Sequence, residues 1–117
     1  MAYRLDHIAI NCKDLQQSIQ FNEKFMNGTP TPIRKGGGGE FCFMNITGAP
    51  SVQLIASNDA AGINHYGFVT DNIDGTAAEL KSKGAEIIRE IRDQDGKLTT
   101  IFVKDCNGLS MEVRIPR

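Results

Sequence analysis

The sequence has no apolar run long enough to span a bilayer, no block of basic residues and no paired-cysteine motif. Each absence removes a class of protein. A spanning helix needs about 20 mostly apolar residues, and the opening Met1-Ala2-Tyr3-Arg4-Leu5-Asp6-His7 lacks the apolar stretch of a secretory signal, so a cytoplasmic protein is expected. Thirteen basic residues against 14 acidic ones leave a formal charge of −1. Without a Lys/Arg cluster, the electrostatic footprint of a nucleic-acid or membrane-surface protein is missing. Cys12, Cys42 and Cys106 are odd in number and far apart, which fits reduced packing residues better than a disulfide framework or a zinc knuckle. There remain 117 residues, 40% hydrophobic and 23% charged, enough to bury a core without covalent staples. Small-molecule chemistry or protein contact is what such a chain is suited to.

The chain repeats itself once. Leu5-Asp6-His7-Ile8-Ala9 parallels Ile63-Asn64-His65-Tyr66-Gly67, with the histidines 58 residues apart (65 − 7). The polar stop around Asp14 then falls opposite Asp71-Asn72, Gly28 opposite Gly84, and Gln53 opposite Glu112, all within a few residues of the same offset. Two modules follow, about 1–57 and 62–117, joined by the turn-rich 57–62.

Each module reads as strand, helix and three further strands. Residues 3–11 alternate as a strand. Asp14 starts a helix whose stripe of Leu15, Ile19, Phe25 and Met26 stops at Gly28. Strands are expected near 32–35, 40–47 and 50–56. In the second half Asp71 or Asp74 starts a helix with Ile73, Ala77 and Leu80 on one side and a stop at Gly84, and strands are expected near 86–92, 97–104 and 109–115. This is an α+β plan, βαβββ taken twice. Each unit would leave one sheet face uncovered by its helix, so two units are expected to enclose a groove.

Side chains alternate along a strand. His7, Ala9 and Asn11 share one face of the first strand, and Ser110, Glu112 and Arg114 share the face of the last strand opposite Leu109, Met111, Val113 and Ile115. The sequence has two histidines, and they hold the same place in the two modules; Gln53 and Glu112 are matched in the same way. Under pseudo-twofold symmetry, His7, His65, Glu112 and Gln53 converge as an N2O2 set for a divalent ion with open positions for water or substrate. Without thiolates the set does not discriminate among Zn, Ni, Co, Mn, Fe and Mg. Asn11 and Arg114, on the faces of His7 and Glu112, are the candidate substrate contacts. Gly36-Gly37-Gly38-Gly39 lacks the G-K-[ST] ending of a phosphate loop and reads as a pliable hairpin or a flap.

Leu5-Asp6-His7-Ile8-Ala9-Ile10, His65-Tyr66-Gly67-Phe68 and the run Phe102-Val103-Lys104-Asp105-Cys106-Asn107-Gly108-Leu109-Ser110-Met111-Glu112 together resemble the vicinal oxygen chelate superfamily. That superfamily includes glyoxalase I, methylmalonyl-CoA epimerase, fosfomycin-resistance enzymes, extradiol dioxygenases and bleomycin-resistance proteins. The last run resembles the family's F-x-D-P-D-G-N-x-x-E pattern with Cys106 in place of the proline. The resemblance implies paired βαβββ modules forming a U-shaped half-barrel, with a metal held at the positions of His7, His65 and Glu112. Gln53 tilts the resemblance toward epimerase-like or glyoxalase-like chemistry. It implies a lyase or isomerase that transfers a proton at carbon in a small vicinal-oxygen substrate, with Glu112 or Glu40 as the base, and a homodimer. The alternatives within the family are a non-catalytic ligand-sequestering protein of the bleomycin-resistance type and an epoxide-opening transferase of the fosfomycin type.

Overall fold

A computed structural model describes residues 2–36 and 39–117. Among these residues it contains two helices and nine strands in an open, mixed sheet, the expected α+β class. In chain order the elements are β1 (Arg4–Cys12), α1 (Leu15–Met26), β2 (Thr29–Pro30), β3 (Arg34–Gly36), β4 (Gly39–Asn45), β5 (Ser51–Ala56), β6 (Gly62–Val69), α2 (Ile73–Ser82), β7 (Glu86–Arg92), β8 (Leu98–Lys104) and β9 (Ser110–Arg114). The two-residue β2 is the one element that the sequence pattern does not anticipate. No helix among the described residues is long and apolar enough to cross a membrane. By internal contacts the chain divides into two compact units, His7–Asn64 and a second that takes in His65–Arg117 with the chain up to Asp6.

In the unit His7–Asn64, β5 runs parallel to β1 and antiparallel to β4, which carries β2 and β3 as short antiparallel partners. The core is Cys12, Leu15, Ile19, Cys42, Met44 and Leu54, with Ile10 and Val52 packed against it. Cys12 and Cys42 are free, buried thiols in that core, as expected of packing residues. Asp14 caps α1, its Oδ1 accepting from the Gln17 amide at 3.0 Å. Two expectations for this helix are corrected. Its end is made by Asn27, which takes the left-handed conformation at φ 53°, and not by Gly28. Only Leu15 and Ile19 of the four-residue stripe are buried; Phe25 is 61% and Met26 50% exposed. Phe25 lies four residues after Phe21 and packs on its ring at 4.9 Å, a neighbouring ridge of the helix that turns away from the sheet.

In the other unit, β9 runs parallel to β6 and antiparallel to β8, and β8 pairs antiparallel with β7. Ile73, Ala77, Leu98, Ile101, Val103 and Val113 form the core, with Leu80, Met111 and Ile115 partly buried against it. The cap of α2 is Asn72, between the two aspartates expected to start the helix; its Oδ1 accepts from the Gly75 amide at 2.9 Å. Asp71 instead faces Arg4 at 3.5 Å. Gly84 takes φ 87° just past the helix, as its role of stop requires.

The turn into β9 sets the height of Glu112 on its strand. Asp105 accepts from the amides of Asn107 and Leu109, both at 2.8 Å, and Gly108 completes the turn at φ 82°. The Tyr66 hydroxyl of β6 donates to Asp105 Oδ2 at 2.8 Å, tying the turn to the strand beside β9. That hydrogen bond, with burial second, pushes the Tyr66 phenol above its usual range. The same bond, aided by the turn's amides against a smaller desolvation effect, holds the Asp105 carboxyl below its usual range. Because the folded state lowers the pKa of Asp105, the stabilisation is present above the ordinary aspartate range of about 3.9 and is lost as pH falls through the folded value. Tyr66→Phe is therefore expected to lower the thermal midpoint at pH 7, with the gap from the parent protein closing in acid below about pH 4; melting curves across pH 2–7 check this, and a gap independent of pH would contradict it.

Candidate metal centre

Helix packing decides which strand face is which. Ile10 and Cys12 of β1 lie on the core of the first unit, so His7 and Ala9 occupy the opposite face, and both are fully or nearly fully buried. The neighbouring strands repeat the pattern: Val52 and Leu54 of β5 and Cys42 and Met44 of β4 face the helix, which leaves Gln53 and Phe43 on the side of His7. Gln53 is half-buried, in register with Ala9 on one side and Phe43 on the other. The Phe43 ring meets the His7 ring edge-on, with centroids 5.8 Å apart at 88°.

The second unit follows the same rule. Met111 and Val113 of β9 pack on the core beneath α2, so Ser110, Glu112 and Arg114 face the other way, as expected. His65 of β6 is in register with Ser110, and Gly67, two residues on, lies opposite Glu112 and places no side chain beside it. His65 Nε2 and Glu112 Oε1 are 3.5 Å apart, with both residues 7% exposed. Phe102 of β8, in register with Glu112, meets the His65 ring edge-on at 5.7 Å and 81°.

His7, His65 and Glu112 form a group of buried side chains able to hold a metal ion: one potential ligand atom from each lies within 4.8 Å of the others. Two imidazole nitrogens and a carboxylate oxygen form a donor set of mixed hardness that suits a divalent ion of the zinc-to-manganese type. The cysteines near these strands point into the core of the first unit and take no part. The donor set therefore fits the metal that the sequence pattern assigns to it.

The other candidates fall in different places. Glu40 is exposed, stands in register with Lys35 and alternates onto the face of Cys42 and Met44, so the structure does not bring it to the side of β4 that carries Phe43 and meets His7. Asn11 shares the face of His7, where its Oδ1 accepts from Asn64 Nδ2 at 3.0 Å. Arg114 shares the face of Glu112 and donates from Nε to the Ile115 carbonyl at 3.1 Å. Of the four glycines, Gly37 and Gly38 lie outside the described residues, and with them the reading of this segment as a flap. Gly39 has φ 121°, and a Cβ there would sit 2.7 Å from the Ala56 carbonyl oxygen, so close backbone approach to β5 requires glycine. Sequence reasoning misses the two aromatic buttresses, although it holds a signal for them: Phe43 and Phe102 are 59 residues apart (102 − 43), the same spacing as Gln53 and Glu112.

The profile of the Glyoxalase/Bleomycin resistance protein/Dioxygenase superfamily matches residues 4–113. The chain belongs to this superfamily. Among its relatives is the mitochondrial methylmalonyl-CoA epimerase of Bos taurus, 24% identical over 94% of this chain and 73% of that one. The structure is similar to methylmalonyl-CoA epimerase from Mycobacterium tuberculosis, with a TM-score of 0.80 at 18% identity over 97% of this chain and 87% of the other. It is also similar to a variant of Streptomyces coelicolor methylmalonyl-CoA epimerase in complex with 2-nitronate-propionyl-CoA, with a TM-score of 0.74 at 25% identity over 94% of each chain.

Proposed function

We propose that this protein is a metal-dependent isomerase of the epimerase type, moving a proton on and off the carbon that lies between two carbonyl groups of a small acyl thioester. The observation that carries the reading is the buried His7, His65 and Glu112 group, whose donor atoms lie within 4.8 Å. The names of the relatives support the substrate class, a carboxylated acyl-CoA such as methylmalonyl-CoA. His7, His65 and Glu112 would hold a divalent ion, with Gln53, on the face of His7, binding it directly or through water. Bound there, such an ion would supply positive charge that stabilises the negative charge developing on a substrate carbonyl oxygen.

The chain's own residues do the rest. Phe43 and Phe102 press edge-on against the two imidazoles and fix their ring planes, so that the nitrogens are presented without rotational search. Burial of the group excludes bulk water from the reacting carbon. Glu112 is the one buried carboxylate among the described residues, and a Glu112 oxygen not engaged by the ion would accept the substrate proton. Glu40, exposed on the other face of its strand, is not assigned a role. The same constellation suits the lyase chemistry of a hemithioacetal, and the relatives favour the epimerase.

The test is exchange of the α-hydrogen of methylmalonyl-CoA in deuterated water, followed by NMR, with metal content measured on the same sample. The expected result is one divalent ion per chain, exchange that stops on chelation and returns on metal addition, and metal lost from His65→Ala. Glu112→Gln is expected to slow exchange by about a hundredfold or more. Exchange at the full rate after complete chelation would overturn the reading, and tight thioester binding with no exchange would replace it with sequestration.

A further inference from the structure

A β-bulge gives the second unit an unassigned cation on the face that carries His65 and Glu112. In β7, Ile87 is in register with Val103 and packs toward the core beneath α2. Continued without interruption, that register would set Arg89 opposite Ile101, which is wholly buried in the same core. Instead the pairing shifts by one residue between Ile87 and Arg89, so that Arg89 faces Phe102. A one-residue slip moves a side chain to the opposite face of a sheet, and bulges are enriched where a functional side chain is re-aimed. Here the extra residue is Ile88, and its cost is visible: an isoleucine 45% exposed to water.

The consequence is a row across three strands. Glu112 of β9 is in register with Phe102 of β8, and Phe102 with Arg89 of β7. The Arg89 guanidinium carbon lies 5.8 Å from the centre of the Phe102 ring, the same ring that meets His65 at 5.7 Å. One phenyl group therefore carries an imidazole of the proposed centre and a cation. The charges on the other side of β7 are spoken for: Glu90 pairs with Arg92 at 2.9 Å and with Lys81 of α2 at 3.8 Å. Arg89 has no ion pair among the described residues.

We infer that Arg89 is a substrate-recognition residue, its guanidinium held over Phe102 to receive an oxyanion of the ligand, either the acyl carboxylate or a phosphate. A guanidinium placed over a ring by a cation–π contact still has N–H donors to offer, and its planar fork can receive a carboxylate or phosphate in a bidentate manner. The inference rests on the acyl-thioester reading above for its substrate class; the anion chemistry itself comes from the bulge and the ring.

Four ligands separate the sources: methylmalonyl-CoA, propionyl-CoA and the corresponding two pantetheine thioesters, which lack the nucleotide phosphates. Binding to metal-loaded protein is measured by calorimetry for the parent, Arg89→Ala and Arg89→Lys, with metal content measured alongside. Arg89→Ala is expected to keep its metal and to lose about tenfold or more in affinity for ligands that carry the recognised anion. Arg89→Lys is expected to recover part of that loss. Loss confined to the carboxylated pair identifies the acyl carboxylate, and loss confined to the CoA pair identifies a phosphate; either supports the inference. Equal loss for all four, including neutral propionyl-pantetheine, or loss for none, would overturn it. Failure of the isomerase reading shows separately, as absent exchange in the parent protein. In that event the inference is read from malonate and inorganic phosphate: they are expected to shift the Phe102 ring resonances in the parent and not in Arg89→Ala, and no shift in the parent would overturn it.

Discussion

The arrangement depends on burying a carboxylate and two imidazoles in a protein of 117 residues that has no disulfide. Taking an ionised carboxylate out of water costs several kcal/mol even after relaxation, and a neighbouring imidazole repays only part of it. Such a group persists when opposite charge and fixed geometry are supplied together. Glu112 at 7% exposure, with His65 Nε2 at 3.5 Å and His7 among the most deeply buried side chains, meets the geometric half of that requirement. On the proposed function, a divalent ion held by the three side chains would meet the electrostatic half.

Other features of the fold serve that demand. The strands are two-sided: one face is sealed by a helix over an aliphatic core, and the other carries the polar groups. Separating the faces in this way lets the cores pack at ordinary density without sharing a surface with charge. Phe43 and Phe102 fill the remaining space beside the histidines with rings, which exclude water and hold the imidazoles without competing for their nitrogens. The Tyr66–Asp105 hydrogen bond fixes the turn from which β9 starts. On β7, the first of two register shifts sets Arg89 opposite Phe102, the ring that also meets His65.

Much of this is legible in the amino-acid sequence. The offset shared by His7 and His65 and by Gln53 and Glu112 places them on β1 and β6 and on β5 and β9, and alternation along β1 and β9 puts His7 and Glu112 on the faces away from the cores. Strand periodicity is a strong signal because its period is two and one residue's error inverts every side chain. That same property makes Arg89 illegible, since the bulge at Ile87–Arg89 breaks the count and leaves no compositional mark. Glu40 is misplaced for a related reason. Its position at the start of a strand suggests a groove entrance, while counting two residues back from the buried Cys42 puts it on the helix face. Phe25 looks like core because it is aromatic and near Met26, but helical position, not hydrophobicity, decides which way it points. Asn72 is masked by its neighbouring aspartates, because Asn and Asp cap helices about equally well.

On the function proposed above, the three buried donors His7, His65 and Glu112 share one cation. Crystals grown with a divalent transition metal, measured with X-rays tuned to its absorption edge, test it directly. A single strong anomalous peak per chain is expected, within about 2.0–2.2 Å of a nitrogen of His7, a nitrogen of His65 and an oxygen of Glu112. A map with no peak there at saturating metal, or with the metal on other side chains, would contradict it.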